Sequence, residues 1–268
     1  MRTRERDGRR AVLTAEVASF DIAAAAGWYS AVAGLLAGFA LLAVLLPLDH
    51  DTRDDDAEAA GASGVIVFTS AFFSLLILAF SYAILSGRSN GPVAAHEQQL
   101  NGLAFGLASL LLLLGLREVL RLYGTNRSIM QPAQNLVSRT TALWGPMIVV
   151  ALQFSNTLDT EALREGGHGR MEWPFSSGIR INLVVSIVAI VLIVLVPFVG
   201  RNRHAAARTT ALIGEATLGF TVLVTLWCAF VVPLLPSDFV LGAALEHLTL
   251  AVAAIAAVVY SWAAWLTR

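Results

Sequence analysis

Three stretches of the sequence, residues 65–85, 181–199 and 216–235, contain no charged side chain at all. Each is about as long as the roughly 20 residues that a helix needs to cross the hydrocarbon core of a bilayer. A backbone in that core must satisfy its own hydrogen bonds, and an α-helix does so within one segment. These stretches therefore predict membrane-spanning helices, and they restrict the fold more than any other feature of the sequence.

The composition extends this prediction to the whole chain. Of the 268 residues, 57% are hydrophobic and 14% are charged, whereas soluble domains average about 45–50% and about 25%. We expect an all-α fold, a polytopic transmembrane helical bundle, in the plasma or inner membrane of a bacterial cell, with the lipid bilayer as a partner. About seven hydrophobic segments form it, near residues 27–48, 64–86, 100–122, 140–157, 180–199, 212–235 and 240–266.

The number of spans depends on the fourth segment, where Gly145 and Pro146 interrupt the apolar run. A proline inside a helix removes one backbone hydrogen bond, so this segment is either a kinked span or a re-entrant piece covered by protein. Arginines are expected to concentrate on the cytoplasmic side. With seven spans the arginines divide equally between the two sides, and with six spans they slightly favour the inside. Six and seven spans are therefore both open.

The first 26 residues differ from the rest of the chain. Residues 1–10 carry five arginines and are typical of a solvated arm. Residues 11–25 have apolar positions at helical spacing, which predicts an interfacial helix or an extension of the first span. We therefore divide the chain into an Arg-rich arm with a short interfacial helix, residues 1–26, and a single transmembrane bundle domain, residues 27–268.

Several kinds of chemistry are excluded by residue types that the sequence lacks. All 18 basic residues are arginine, so no lysine can form a Schiff base or bind a phosphate in a Walker motif. The single cysteine, Cys228, cannot form an intrachain disulfide. The formal net charge of −1 provides no field that would attract nucleic acid. We expect no nucleic-acid partner, no cofactor and no metal site.

Two glycine pairs at four-residue spacing predict close contacts between helices. Gly34 and Gly38 lie in the first segment, and Gly102 and Gly106 lie in the third. Small residues at this spacing let two helix backbones approach each other. Direct packing of the first segment against the third would use both pairs.

Glu246 and His247 form the leading candidate site, because ionisable residues at a helix centre in a membrane cost about 2.5–3.5 kcal/mol. If the last helix begins just after residues 236–238, Glu246 lies about 12 Å inside it, at about 1.5 Å per residue. A carboxylate and an imidazole at that depth could relay protons, bind a cation or act as acid and base. If the apolar run begins at Leu248, the pair lies in the headgroup region instead.

Arg117, Glu118 and Arg121, near the end of the third segment, form a second candidate site. The two arginines share a helix face, and Glu118 can pair with Arg121 three residues further on. This cluster would contact an anion or gate a pore mouth, or it is a helix end where arginines reach lipid phosphates. In the fourth segment, Gln153 and Asn156 either line a polar cavity or bond neighbouring helices.

Two short strings resemble catalytic motifs without completing them. His96 and Glu97 begin like the metalloprotease motif HExxH, but Leu100 stands where the second histidine should be, so the zinc geometry is lost. Residues 61–64 match the GxSG string of the rhomboid intramembrane proteases, in which a serine pairs with a later histidine. The surrounding acidic, Ala- and Gly-rich segment is more typical of a flexible linker, and we assign no catalytic residue.

Three function classes are compatible with this pattern. The shortage of buried charge favours a non-enzymatic membrane component: a sensor, an immunity or effector protein, or a subunit that joins a homo-oligomer or another membrane subunit. The alternative is a small transporter or channel with a polar pathway through segments three, four and seven. A membrane-embedded enzyme for a lipophilic substrate ranks third, because the spaced aspartate or histidine motifs of such enzymes are missing.

Overall fold

The structure is a computed structural model in which helices account for nearly all of the described residues, and no strand occurs among them. The residues that it describes are 21–48, 55–88, 91–122, 127–164, 176–198, 206–236 and 239–266. The all-α prediction is confirmed. Residues 1–20, including the Arg-rich residues 1–10, lie outside the described part. Residues 22–26 belong to the first helix and not to a separate interfacial segment.

Eight α-helices make up the described part of the chain. They are α1 (Ile22–Leu48), α2 (Asp55–Ser86), α3 (Pro92–Leu122), α4 (Arg127–Arg139), α5 (Gly145–Arg164), α6 (Ser177–Leu195), α7 (Ala206–Leu226) and α8 (Ala243–Leu266). Six of them, α1, α2, α3, α6, α7 and α8, are long and apolar enough to cross a membrane. The chain is therefore a multi-pass helical bundle, as its apolar segments predict.

The fourth segment, formed by α4 and α5, runs antiparallel to α3 between Leu120 and Gln99. At one end, the α4 side chain Gln134 donates to the carbonyl of Leu120 at the end of α3, over 2.7 Å. At the other end, the α5 hydroxyl of Thr160 donates to the side chain of Gln99, near the start of α3. The fourth segment therefore extends from the level of Leu120 to the level of Gln99 beside α3, although it is not among the six helices that are long and apolar enough to cross a membrane.

A π-helical turn, Thr140–Trp144, joins α4 to α5 and explains how the helix continues past Pro146. The backbone N–H of Gly145 bonds to the carbonyl of Thr140 across this wider turn. Pro146 then occupies the first turn of α5, where its missing N–H costs little. A Cβ atom on Gly145 would lie only 2.8 Å from a methyl carbon of Leu110, so glycine is required by the close approach of α3.

The core of the bundle is centred on α3, which packs against α1, α2, α5, α7 and α8. Its fully buried side chains include Leu103, Leu111 and Leu114. On the outside, large apolar side chains such as Leu35 of α1 and Val188 of α6 are exposed. Extended apolar surfaces of this kind mark contact with lipid or with another protein.

Two helices begin at positions that differ from the sequence predictions. Helix α3 begins at Pro92 rather than near residue 100, because His96, Glu97 and Gln99 find partners inside the bundle, as described below. The string at residues 61–64 lies within α2 rather than in a flexible linker, and its Ser63 is buried.

Candidate functional site

Glu246 is completely buried and lies in the first turn of α8, where three helices meet. Its Oε1 accepts a hydrogen bond from Asn182 Nδ2 of α6 over 2.6 Å. Its Oε2 accepts a hydrogen bond from the guanidinium of Arg164, in the last turn of α5. Because both carboxylate oxygens are engaged, this buried charge has the partners that it needs away from water.

Arg164 connects two carboxylates and one backbone carbonyl. Besides Glu246, its guanidinium forms an ion pair with Glu161, one turn earlier on α5. It also donates to the carbonyl of Leu241, just before α8, over 3.0 Å. The guanidinium presents five donors in a fixed planar fork, which suits this multiple role. Arg164 thus ties the end of α5 to the start of α8.

His247 extends the cluster through Asn182. Its Nδ1 lies 2.6 Å from Asn182 Oδ1. An ionised carboxylate can only accept hydrogen bonds, so the amide nitrogen of Asn182 must face Glu246 and the amide oxygen must face His247. The Nδ1 atom of His247 therefore carries the proton in this contact. We call the five residues Glu161, Arg164, Asn182, Glu246 and His247 the Arg164 network.

Helix ends add favourable electrostatics to both carboxylates of the network. Glu246 lies at the N-terminus of α8, where the helix dipole favours a negative charge. Glu161 approaches the N-terminus of α6: it accepts a hydrogen bond from Ser176 Oγ over 2.8 Å. Ser176 in turn caps α6 by accepting from the N–H of Ile179. A Cβ on Gly178 would lie 3.2 Å from the carboxylate of Glu161, so this carboxylate lies close to the first turn of α6.

A second polar junction lies beside the network and joins α3, α5 and α8. Gln99 donates to Thr249 Oγ1 over 3.0 Å, and its amide oxygen accepts from Thr160. Thr249 donates to the backbone carbonyl of Glu246. Segments three, four and seven therefore meet through side-chain hydrogen bonds at this end of the bundle.

The helix start just after residues 236–238, on which the position of Glu246 about 12 Å along α8 depended, is wrong. Helix α8 begins at Ala243, so Glu246 lies about 4.5 Å along it, at about 1.5 Å per residue, rather than about 12 Å. Residues 237 and 238, the expected N-cap positions, lie outside the described residues. What removes Glu246 from solvent is therefore the convergence of α5, α6 and α8 around it.

The second candidate site lies at the opposite end of the bundle. Arg117 and Glu118 are both buried near the end of α3, and Arg117 Nε donates to Ser138 Oγ of α4 over 3.1 Å. The side chain of Arg121 lies outside the described part. The structure therefore does not bring this cluster together with Glu246 and His247.

Gln153 and Asn156 line a cavity of about 290 Å³ between α5 and helices α1 to α3. Gly102 lines the same cavity, and a Cβ on Gly106 would lie 3.2 Å from Val149 of α5. The third-segment glycine pair therefore faces α5.

The first-segment glycines Gly34 and Gly38 have a different environment. A Cβ atom on either would meet no atom within 4 Å. Helix α1 instead packs mainly on α2, with Ala33, Ala37 and Ala40 among its buried residues.

A separate ion pair lies at the same end of the bundle as the Arg164 network. Glu97 of α3 is buried and lies 3.0 Å from Arg88, in the turn after α2. The neighbouring His96 accepts a hydrogen bond from Trp227 Nε1 over 3.4 Å. Within the part of the chain that the structure describes, no three His, Cys, Asp or Glu residues are grouped so as to hold a metal ion.

Sequence reasoning missed Glu161, Arg164 and Asn182 as members of the site. Asn182 had a detectable signal, because it is the most polar residue in the otherwise apolar run 181–199. Arg164 had none, because it follows the apolar part of its segment and resembles an ordinary charged helix end.

These features define the class of the molecule: a multi-pass α-helical membrane protein with a buried ionic network at one end of its bundle. No protein-family model matches the chain, and no curated protein and no solved structure matches it at a significant level.

Proposed function

We propose that the chain is a non-enzymatic component of a cell membrane, a sensor or a partner subunit, whose helices are held in one arrangement by the Arg164 network. The observation that carries this proposal is the single guanidinium that bridges Glu161 and Glu246. It joins α5 to α8, and Asn182 adds α6.

The carboxylate of Glu246 is already engaged by other side chains, which weighs against a catalytic role. A general acid or base must reach a substrate proton within about 2.6–3.2 Å. Glu246 is fully buried, and both of its oxygens accept hydrogen bonds from other side chains. Its carboxylate has the surroundings of a structural or switching group rather than of a catalytic one.

A network of this kind can also work as a switch. Removing one partner of a buried ion pair costs about 3–5 kcal/mol, so the network favours one packing of α5, α6 and α8 strongly over any packing that separates them. A binding partner or a ligand that interacts differently with the two packings would shift the equilibrium between them. Arg164 remains partly exposed, so the network can be reached from the end of the bundle.

The test compares Glu246→Gln with Glu215→Gln, because Glu215 is an exposed glutamate of α7 outside the network. We expect size-exclusion chromatography with light scattering to detect association of the purified chain with itself or with a co-expressed membrane subunit. Glu246→Gln should weaken this association, and Glu215→Gln should leave it unchanged. A protein that remains monomeric and alone in every preparation would contradict the proposal.

A small transporter is the second candidate, favoured by the junction of Gln99, Thr160 and Thr249. This junction joins segments three, four and seven beside an ionisable pair. The same two variants in proteoliposomes separate the candidates. Proton or cation flux that Glu246→Gln abolishes and Glu215→Gln retains would replace the first proposal with this one. A lipid product that disappears in Glu246→Gln would instead identify an enzyme.

A further inference from the structure

We propose that the exposed face of the fourth segment contacts the hydrocarbon chains of the bilayer, so that this segment crosses the membrane as a seventh span. Gln134 bonds to Leu120 at the end of α3, and Thr160 bonds to Gln99 near its start. Helix α3 is itself a candidate span over Pro92–Leu120. Any surface that the fourth segment exposes between these two levels therefore lies at the depth of the bilayer.

The exposed face is apolar over the length that a bilayer requires. Arg139 and Asp159 are exposed at its two ends and lie 20 residues apart. This separation corresponds to about 30 Å at about 1.5 Å per residue, and the hydrocarbon core of a bilayer is about 30 Å thick. The exposed residues between these two ends carry no charge, and they are Trp144, Ile148, Ala151, Leu152 and Ser155. The two charged residues therefore mark the levels of the lipid headgroups.

The polar side chains of the same stretch face the interior of the bundle. Thr141, Gln153 and Thr157 are at most 2% exposed. Both threonine hydroxyls donate to a backbone carbonyl of their own segment. A helix on the surface of a soluble protein has the reverse arrangement, because it turns its apolar stripe toward the core. Apolar side chains outside and polar side chains inside fit a segment that is surrounded by hydrocarbon.

The inward polar residues also explain why hydropathy does not single out this segment. A mean hydropathy counts every side chain, whichever way it points. In α5 the mean is lowered by the buried Gln153 and by Glu161 and Arg164, which belong to the network at the end of the bundle. The six helices of higher mean hydropathy do not include α5 for this reason, and not because its outer surface is polar.

A seventh crossing places the start of α1 and the end of α8 on opposite sides of the membrane. A Cβ on Gly27 of α1 would lie 4.0 Å from Ser86, which ends α2 just before Arg88. Helix α1 therefore starts at the end of the bundle that holds the Arg164 network. Helix α8 also starts there, and it ends at Leu266 on the other side. This inference does not rest on the proposed function, because no member of the network takes part in the lipid contact.

Single-cysteine variants in a Cys228→Ala background test the crossing. Asn135→Cys and Asp159→Cys place a thiol near each end of the apolar face, and Gly87→Cys marks the side that holds the network; all three positions are exposed. The full-length variants are treated with a membrane-impermeant maleimide in sealed membrane vesicles of both orientations. We expect Asp159→Cys to react from the same side as Gly87→Cys, and Asn135→Cys to react only from the opposite side.

Ile148→Cys in the same background tests the lipid contact, because Ile148 lies near the middle of the apolar face. Its matched control is Val188→Cys, which is 51% exposed near the middle of the candidate span Ser177–Phe198. Both thiols are labelled with bimane, and the proteins are reconstituted in phosphatidylcholine that is brominated near the ends of its chains. We expect the two probes to lose the same fraction of their fluorescence. Lipid brominated close to the headgroup should quench both of them less.

Either measurement alone can overturn the proposal. Reaction of Asn135→Cys and Asp159→Cys from the same side would mean that the fourth segment does not cross the membrane. A bimane on Ile148→Cys that the brominated lipid leaves unquenched, while the bimane on Val188→Cys is quenched, would mean that a second copy or another protein covers this face. All of the labelled positions are exposed, so a cysteine there should leave the packing of the bundle intact.

Discussion

Glu97 and Glu246 are two buried glutamates at the same end of the bundle, and each faces a partly exposed arginine. The side chain of Glu97 is 2% exposed and that of Glu246 is 0% exposed, while their partners Arg88 and Arg164 are 26% and 27% exposed. By burial alone the two sites are equivalent. They differ in how many elements each carboxylate holds together.

Glu97 pairs locally, with an arginine in the turn just before its own helix. Its Oε2 lies 3.0 Å from Arg88 Nη1, in an orientation that does not make a hydrogen bond. Glu246 receives hydrogen bonds on both oxygens, from helices 64 and 82 residues earlier in the chain. The comparison teaches that burial alone does not make a charged side chain important for the fold. What matters is how many helices from distant parts of the sequence donate hydrogen bonds to it.

The largest difference should appear when each arginine is removed. Arg164→Leu leaves Glu161 and Glu246 without their shared cation, and we expect it to lower the free energy of unfolding by about 3–5 kcal/mol. Arg88→Leu should cost less, about 1 kcal/mol, because Arg88 pairs with a single carboxylate, to which it makes no aligned hydrogen bond. Unfolding in mixed micelles measures both values. Equal losses would remove the distinction between the two sites.

Neutralising the glutamates should give a smaller but parallel difference. Glu246→Gln replaces charge-assisted hydrogen bonds worth about 1.5–3 kcal/mol each, so we expect a loss of about 2 kcal/mol. Glu97→Gln removes a charge that lacks an aligned hydrogen bond. The free energy of unfolding of this variant should stay within about 1 kcal/mol of the wild-type value. The thermal midpoint in detergent is a sufficient measurement. A Glu97→Gln variant less stable than Glu246→Gln would reverse our ranking.

Asn182 is the next member of the network to test. Asn182→Leu leaves one oxygen of Glu246 and the Nδ1 proton of His247 without partners, at a cost of about 1–3 kcal/mol. Gln98→Leu is the control, because its amide oxygen has no partner among the described residues, and we expect little or no loss. If both substitutions had the same effect on the thermal midpoint, the amide bridge between α6 and α8 would carry no stability.

The smallest effect concerns the helix end beside Glu161. In Gly178→Ala, the new methyl group lies about 3.2 Å from the Glu161 carboxylate, so we expect a loss of less than about 1 kcal/mol. The control Gly219→Ala lies within α7, where a Cβ meets no atom within 4 Å. That substitution should stabilise the protein by up to about 1 kcal/mol, because alanine favours a helix interior. If both Gly178→Ala and Gly219→Ala stabilised the protein, Glu161 would have to lie further from α6 than the structure shows.

The comparison also explains which features the sequence could predict. Long apolar runs fix membrane helices because their length alone meets the bilayer requirement, and Glu246 was detectable as a charge next to such a run. Its partner Arg164 was not, because a contact across 82 residues depends on how the helices pack. Contacts within the bundle also explain why α3 begins at Pro92 and not near residue 100. Glu97 and Gln99 are polar, but in the fold Glu97 pairs with Arg88 and Gln99 donates a hydrogen bond to Thr249.

The direction of the fourth segment relative to α3 could not be predicted from the sequence for a different reason. Arginines divide equally between the two sides in a seven-span arrangement, and the Gly145-Pro146 pair is compatible with several backbone paths. Only the contacts of Gln134 and Thr160 with opposite ends of α3 establish the direction of this segment.

A double-mutant cycle between Arg164 and Glu246 tests the central claim most directly. The free energy of unfolding in mixed micelles is measured for the wild type, Arg164→Leu, Glu246→Leu and the double variant. Residues in one ion-pair network show coupling energies of about 0.5–3 kcal/mol, and we expect a value of about 2 kcal/mol. Losses that add within about 0.3–0.5 kcal/mol would contradict the account, because they would mean that Arg164 and Glu246 do not hold α5 and α8 together.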